Sequence, residues 1–150
     1  MIAASDSQRP LTERGHAANI STARQLLKKG VAIEKAFCSP YLRAQQTAAD
    51  MGSVHSDLEF EQCSLLTPDT DCQQLLSFLE RQLLTATNSL APAPVLLVGH
   101  NPLLSRLTNY LLDTVGGLDR NLDTSNLVCL NTEVLATACA QLDYWLSPEL

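Results

Sequence analysis

The sequence predicts an α/β fold with a mostly parallel sheet, and three observations predict it. Val95-Leu96-Leu97-Val98 is an unbroken apolar run between Pro94 and Gly99, the pattern of a strand buried on both faces. It leads at once through His100, Asn101 and Pro102 into a helical stripe of leucines, so a strand hands over to a helix. The same unit occurs earlier, where the run Val31 to Ser39 meets Pro40. Two such junctions lie at the carboxyl edge of one sheet, which is where open α/β folds bind ligands.

Size and composition bound the rest. The 150 residues, 45% hydrophobic and 17% charged, suit one globular domain. A formal net charge of −6 offers no basic patch, which argues against nucleic acid and anionic membrane as partners. No apolar run approaches the length of a bilayer span, and residues 1–6 lack the basic and apolar regions of a signal peptide. The cysteines at positions 38, 63, 72, 129 and 139 form no C-x-x-C pair and lack zinc-ligand spacing to any histidine. Cys38 and Cys129 lie in apolar runs and read as small core residues, reduced as in a cytoplasmic protein.

Taken in order, the chain opens on a polar lead containing Asp6, Arg9 and Pro10. Thr12 is placed to cap a helix with Ala17, Ile20, Ala23 and Leu27 on its apolar stripe, and Gly30 is placed to stop it. His16 reads as a solvated residue of its first turn. The strand through Ala36-Phe37-Cys38 follows, then a helix capped by Ser39, opened by Pro40 and running to Gly52. His55 reads as a solvated loop residue. Asp57 to Cys63 alternates as a short strand with Leu58 and Phe60 on one face. Beyond Pro68 a helix extends to Thr85, burying Leu75, Leu76, Leu79 and Leu83, and 91–94 is a stiff connector. After the strand at Val95 comes the helix Pro102 to Leu112, then a loop over Gly116–Thr124. Asn126–Asn131 and Leu142–Leu146 read as strands, and Glu133–Ala140 as a possible extension of the sheet edge.

Two side chains at the junctions invite a chemical reading. Arg43 lies near the first turn of its helix, where a cation opposes the macrodipole at a cost of about 0.3–1 kcal/mol. Either it clamps a phosphate bidentately, or it is a solvated arginine paired with a carboxylate such as Asp50. His100, at the other junction, is an imidazole able to donate to phosphoryl oxygens.

Several blocks carry a family resemblance: Arg9-Pro10-Leu11-Thr12-x-x-Gly15, Ser39-Pro40-Tyr41-Leu42-Arg43-Ala44-Gln45-Gln46-Thr47, Leu66-Thr67-Pro68, Gly99-His100-Asn101-Pro102 and Trp145-x-Ser147-Pro148. With these the chain resembles the histidine phosphatase superfamily, and within it the SixA-type phosphohistidine phosphatases, from about Ala3 to Pro148. The resemblance implies a three-layer α/β/α sandwich of the phosphoglycerate mutase-like kind. It also implies a site at the carboxyl ends of the strands, with Arg43 and His100 as catalytic, phosphate-binding residues and no metal or organic cofactor. The family's nucleophile belongs to an Arg-His-Gly motif ending a first, central strand, and no Arg-His-Gly occurs here. Arg14-Gly15-His16 has the wrong order and matches the later helix start. The expectation is therefore a single histidine phosphatase domain over 1–150 lacking that strand at its N-terminus, with Met1 internal to a longer frame or at a truncation.

The implied function is removal of phosphate from a phosphohistidine on a phosphorelay or phosphotransfer protein, releasing inorganic phosphate. Two alternatives stand beside it. One is a phosphomonoesterase acting on a small ester, which needs an acid for its alkoxide leaving group, with Glu59 or Glu61 in the right region. The other is a non-catalytic module that binds phosphate or phosphohistidine.

Overall fold

The structure, a computed structural model, describes residues 5–85, 94–112 and 121–150. A 3-10 turn at Asp6–Gln8 precedes α1 (Glu13–Lys28), β1 (Lys35–Cys38), α2 (Leu42–Val54) and β2 (Phe60–Gln62). A second 3-10 turn, Ser64–Leu66, leads to α3 (Cys72–Thr85), β3 (Val95–Val98), α4 (Leu103–Leu112), β4 (Leu127–Thr132) and β5 (Ala140–Leu146). The first three strands form a parallel sheet in the order β2-β1-β3, with Phe37 opposite Leu97 and Glu61. β4 and β5 pair antiparallel, with an irregularity between Cys129 and Leu130.

The strand pleat sorts side chains into two cores. On one face, Phe37, Val95 and Leu97 join Leu75, Leu76 and Leu79 of α3 and Leu103, Leu107 and Leu111 of α4. On the other, Leu96 and Phe60 pack with Ala23 and Leu26 of α1 and Met51 of α2. Alternate residues of one strand thus serve opposite helix layers, which makes the expected α/β/α sandwich. Phe37 meets Phe78 edge to face, with ring centroids 5.1 Å apart.

The helices begin and end for reasons the residues supply. The Gly15 N–H donates to Thr12 Oγ1 at 3.1 Å, the expected cap of α1. Beyond its last turn Gly30 takes φ +67°, the left-handed conformation expected of a stop. The apolar stripe is displaced by one residue: Ala18, Asn19, Thr22, Ala23 and Leu26 are buried, while Ala17 and Leu27 are exposed. The buried polar Asn19 and Thr22 serve a hydrogen-bond network rather than a purely apolar face, and that is why the leucine-led phase misleads. At α2, Tyr41 rather than Ser39 stands at the N-cap, and the helix runs to Val54, past Gly52.

Other differences are local. Residues 133–139 are a connection of bends and turns between the two hairpin strands, not a sheet extension. Cys38 is buried as expected, while Cys129, on a strand of the hairpin, is half-buried. The connector at 91–93 and most of the loop at 116–124 lie outside the described residues. No helix among the described residues is long and apolar enough to cross a membrane.

Candidate active site

β1 and β3 are adjacent and parallel, so their carboxyl ends release Ser39 and His100 side by side. The ladder extends one step past β1, the Ser39 N–H donating to the Val98 carbonyl at 2.9 Å. Gly99 is the hinge by which β3 reaches this point. A Cβ there would lie 3.2 Å from the Leu66 carbonyl oxygen, a close approach that only glycine makes without displacement. After His100, α4 takes its Leu104 N–H back to the His100 carbonyl at 3.0 Å. Asn101 does not cap that helix through its backbone N–H groups. Its amide donates to the Leu122 carbonyl and its oxygen accepts from Ser105 Oγ, which also accepts the Leu122 N–H. The residue thereby ties the segment beyond 120 to the site.

His100 is buried, with Nε2 2.8 Å from Ser39 Oγ. Ser39 is itself fully buried, and its oxygen accepts the Tyr41 N–H at 3.3 Å. Burial first, and then the nearby Arg43 charge, lower the His100 pKa to about 4, with Asp6 opposing the shift. The ring is therefore neutral near pH 7, and it acts there as a hydrogen-bonding group rather than a cation. The Tyr41 ring lies against it, with centroids 5.0 Å apart. The Arg43 guanidinium carbon lies 5.2 Å from the same tyrosine ring centroid.

Arg43 does not pair with Asp50. Its Nη1 donates to the Asp6 carbonyl oxygen at 2.6 Å, and Nη1 and Nη2 donate to the Asp6 carboxylate at 3.3 and 3.1 Å. Asp50 instead meets His16 Nδ1 at 2.9 Å and accepts from Asn19 Nδ2 at 2.9 Å. His16 keeps 40% of its side chain exposed, as expected of a solvated helix residue, and is also a partner in a network. The network continues from Asn19 to Thr47 at 3.2 Å and to Ser125 Oγ at 2.7 Å, joining α1, α2 and the segment before β4. His55, also expected to be solvated, follows the last turn of α2 and sets Nε2 2.9 Å from the Ala23 carbonyl oxygen of α1.

Arg43, His100, Asn19, Thr22 and Thr47 all line one cavity of about 320 Å³ that extends between β3 and the start of β4. Its walls combine an oriented guanidinium, a neutral imidazole and hydroxyl and amide groups, a set that suits an oxyanion. Glu59 and Glu61 are exposed, and neither lines it. Among the described residues no group of His, Cys, Asp and Glu is arranged to hold a metal ion. Sequence reasoning missed three contributors: Asp6, Ser39 as partner of His100, and Tyr41. Tyr41 lay inside a family-matching block, whereas nothing in the sequence links Asp6 to an arginine so far along the chain.

Known proteins are similar to this chain in sequence and in fold. The family model for the histidine phosphatase superfamily (branch 1) matches residues 2–67. The phosphohistidine phosphatase SixA of Escherichia coli is 35% identical over 110 residues, which cover 73% of this chain and 65% of that protein. The match therefore spans a little under two thirds of that relative's length. An uncharacterised Picosynechococcus protein is 28% identical over 129 residues, covering 86% of this chain and 75% of its own. Among solved structures, the protein histidine phosphatase SixA complexed with tungstate superposes with a TM-score of 0.82 at 29% identity, covering 99% of this chain and 90% of its own.

Proposed function

We propose that this chain is a member of the histidine phosphatase superfamily and that its Arg43–His100 cavity holds the phosphoryl group of a phosphohistidine on a protein. The observation that carries the reading is the meeting of these two side chains, from separate strand-helix junctions, in one cavity at the carboxyl ends of β1 and β3. Arg43 supplies charge to the equatorial oxygens. With the Ser39 hydroxyl donating to Nε2 of His100, the neutral ring carries its proton on Nδ1, and on this reading Nδ1–H donates to a phosphoryl oxygen.

In the reaction so read, a histidine attacks phosphorus, the phosphorus–nitrogen bond of the substrate breaks, and the departing imidazole keeps or gains a proton. Water then hydrolyses the phosphoenzyme and releases inorganic phosphate. An imidazole departs more easily than an alkoxide, so this chemistry needs no strong general acid. The exposed positions of Glu59 and Glu61 favour it over the small-ester reading. The Arg-His-Gly nucleophile motif does not occur in these 150 residues, so the chain itself contributes the oxyanion-holding part of the site. On this reading the partner is a phosphorylated protein of a phosphotransfer system in the cytoplasm.

Grafting an apolar strand ending in Arg-His-Gly onto the N-terminus tests the proposal. The grafted protein is expected to dephosphorylate a phosphohistidine protein in preference to a phosphoserine peptide or a small sugar phosphate. In that background Arg43→Ala should lower kcat/KM by about 100-fold or more, the usual cost of losing one group that stabilises developing charge. Preference for the small ester would select the phosphomonoesterase reading. Oxyanion binding with no turnover of any substrate would select the binding module.

A further inference from the structure

Arg43 is already occupied. Asp6 presents it with both carboxylate oxygens and its own carbonyl oxygen, at 3.1, 3.3 and 2.6 Å. A carboxylate spanning Nη1 and Nη2 takes the place that two phosphoryl oxygens would take on the same guanidinium. We propose that Asp6 is an internal anion that a phosphoryl group must displace from Arg43, so that the turn carrying it sets the oxyanion affinity of the site. This rests on the reading of Arg43 as a phosphate ligand.

The surroundings of Asp6 suit a displaceable contact. Its side chain is 55% exposed, so the carboxylate end of the pair is solvated and its hold on Arg43 is weakened by water. It sits in a three-residue 3-10 turn, closed by the Gln8 N–H donating to the Ser5 carbonyl and the Arg9 N–H to the Asp6 carbonyl. A second guanidinium stands ready to receive it, because Arg9 Nη1 is 3.6 Å from Asp6 Oδ1. As an oxyanion takes Arg43, the carboxylate turns to Arg9 without losing a cationic partner. Until it leaves, it neutralises Arg43 and repels an approaching dianion. Both effects weaken binding of free phosphate and hasten its departure after turnover.

Titration of the 150-residue protein with tungstate, by calorimetry, decides between outcomes, using wild type, Asp6→Asn and Arg43→Ala. Asparagine keeps the size and one acceptor oxygen but removes the charge. Asp6→Asn is expected to bind tungstate about two- to fivefold more tightly, the range of an exposed ion pair, and Arg43→Ala to lose binding. Binding by Asp6→Asn that is unchanged or weaker, with Arg43→Ala still deficient, overturns the displacement and makes Asp6 a residue that positions Arg43. Binding by neither wild type nor Asp6→Asn, or binding indifferent to Arg43→Ala, overturns the reading of the site and the proposal with it.

Discussion

His100 shows how one buried side chain links stability to pH. Its folded pKa of about 4 lies below the ordinary value of 6.5, because burial and Arg43 oppose the charged ring. The unfolded chain therefore takes up the proton first as pH falls. The stability this provides is complete above about pH 6.5 and drains away as pH approaches about 4, at no more than about 1.4 kcal/mol per pH unit. Urea midpoints at pH 7, 6 and 5 should show this slope in wild type, with a shallower one in His100→Gln. Equal slopes in the two proteins would mean that His100 titrates normally. Ser39 belongs to the same account, since it holds Nε2 in a buried position where a lost partner costs about 1–3 kcal/mol.

At the scale of elements, the site depends on where strands end. β3 ends at a glycine because the next turn of chain passes close to Leu66, itself fully buried in the apolar core. A Gly99→Ala protein must push the Leu66 backbone carbonyl aside by a few tenths of an ångström, an overpacking that costs about 1–3 kcal/mol. The expected result is a lower thermal midpoint together with weaker tungstate binding, since His100 follows immediately. An alanine variant as stable as wild type would show that Leu66 and its turn can shift. The helices, by contrast, position the site through polar contacts. Asn19 and Asp50 tie α1 to α2, and Asn101 holds the segment before β4 beside His100.

Over the whole molecule, the cavity is lined by β3 of the parallel sheet and by the start of β4 of the hairpin. An oxyanion bound there contacts groups from α1, α2 and the β3–α4 junction at once, so binding should be read as global stability. With tungstate at about 100 times its Kd, linkage adds about 2.7 kcal/mol, which for a chain of this size raises Tm by about 5–10 °C. The shift should vanish in Arg43→Ala. A shift of the same size in that variant would place the oxyanion elsewhere, despite a net charge of −6 that disfavours casual anion binding.

What the sequence determined by itself is the local grammar. Apolar runs ending at Ser39 and Gly99, the Thr12 cap and the Gly30 stop each depend on neighbours within a few residues, and each is found where expected. The association of Arg43 with His100 was legible too, because both lie at strand-helix junctions of a parallel sheet and in motif blocks. The phase of α1, the partners of His16 and His55 and the occupation of Arg43 by Asp6 were not. Those depend on which side chains a fold brings together across 28 or more residues, where many pairings satisfy the same local pattern. The neutral state of His100 was likewise a product of tertiary structure, since desolvation exists only once the chain has closed around the ring.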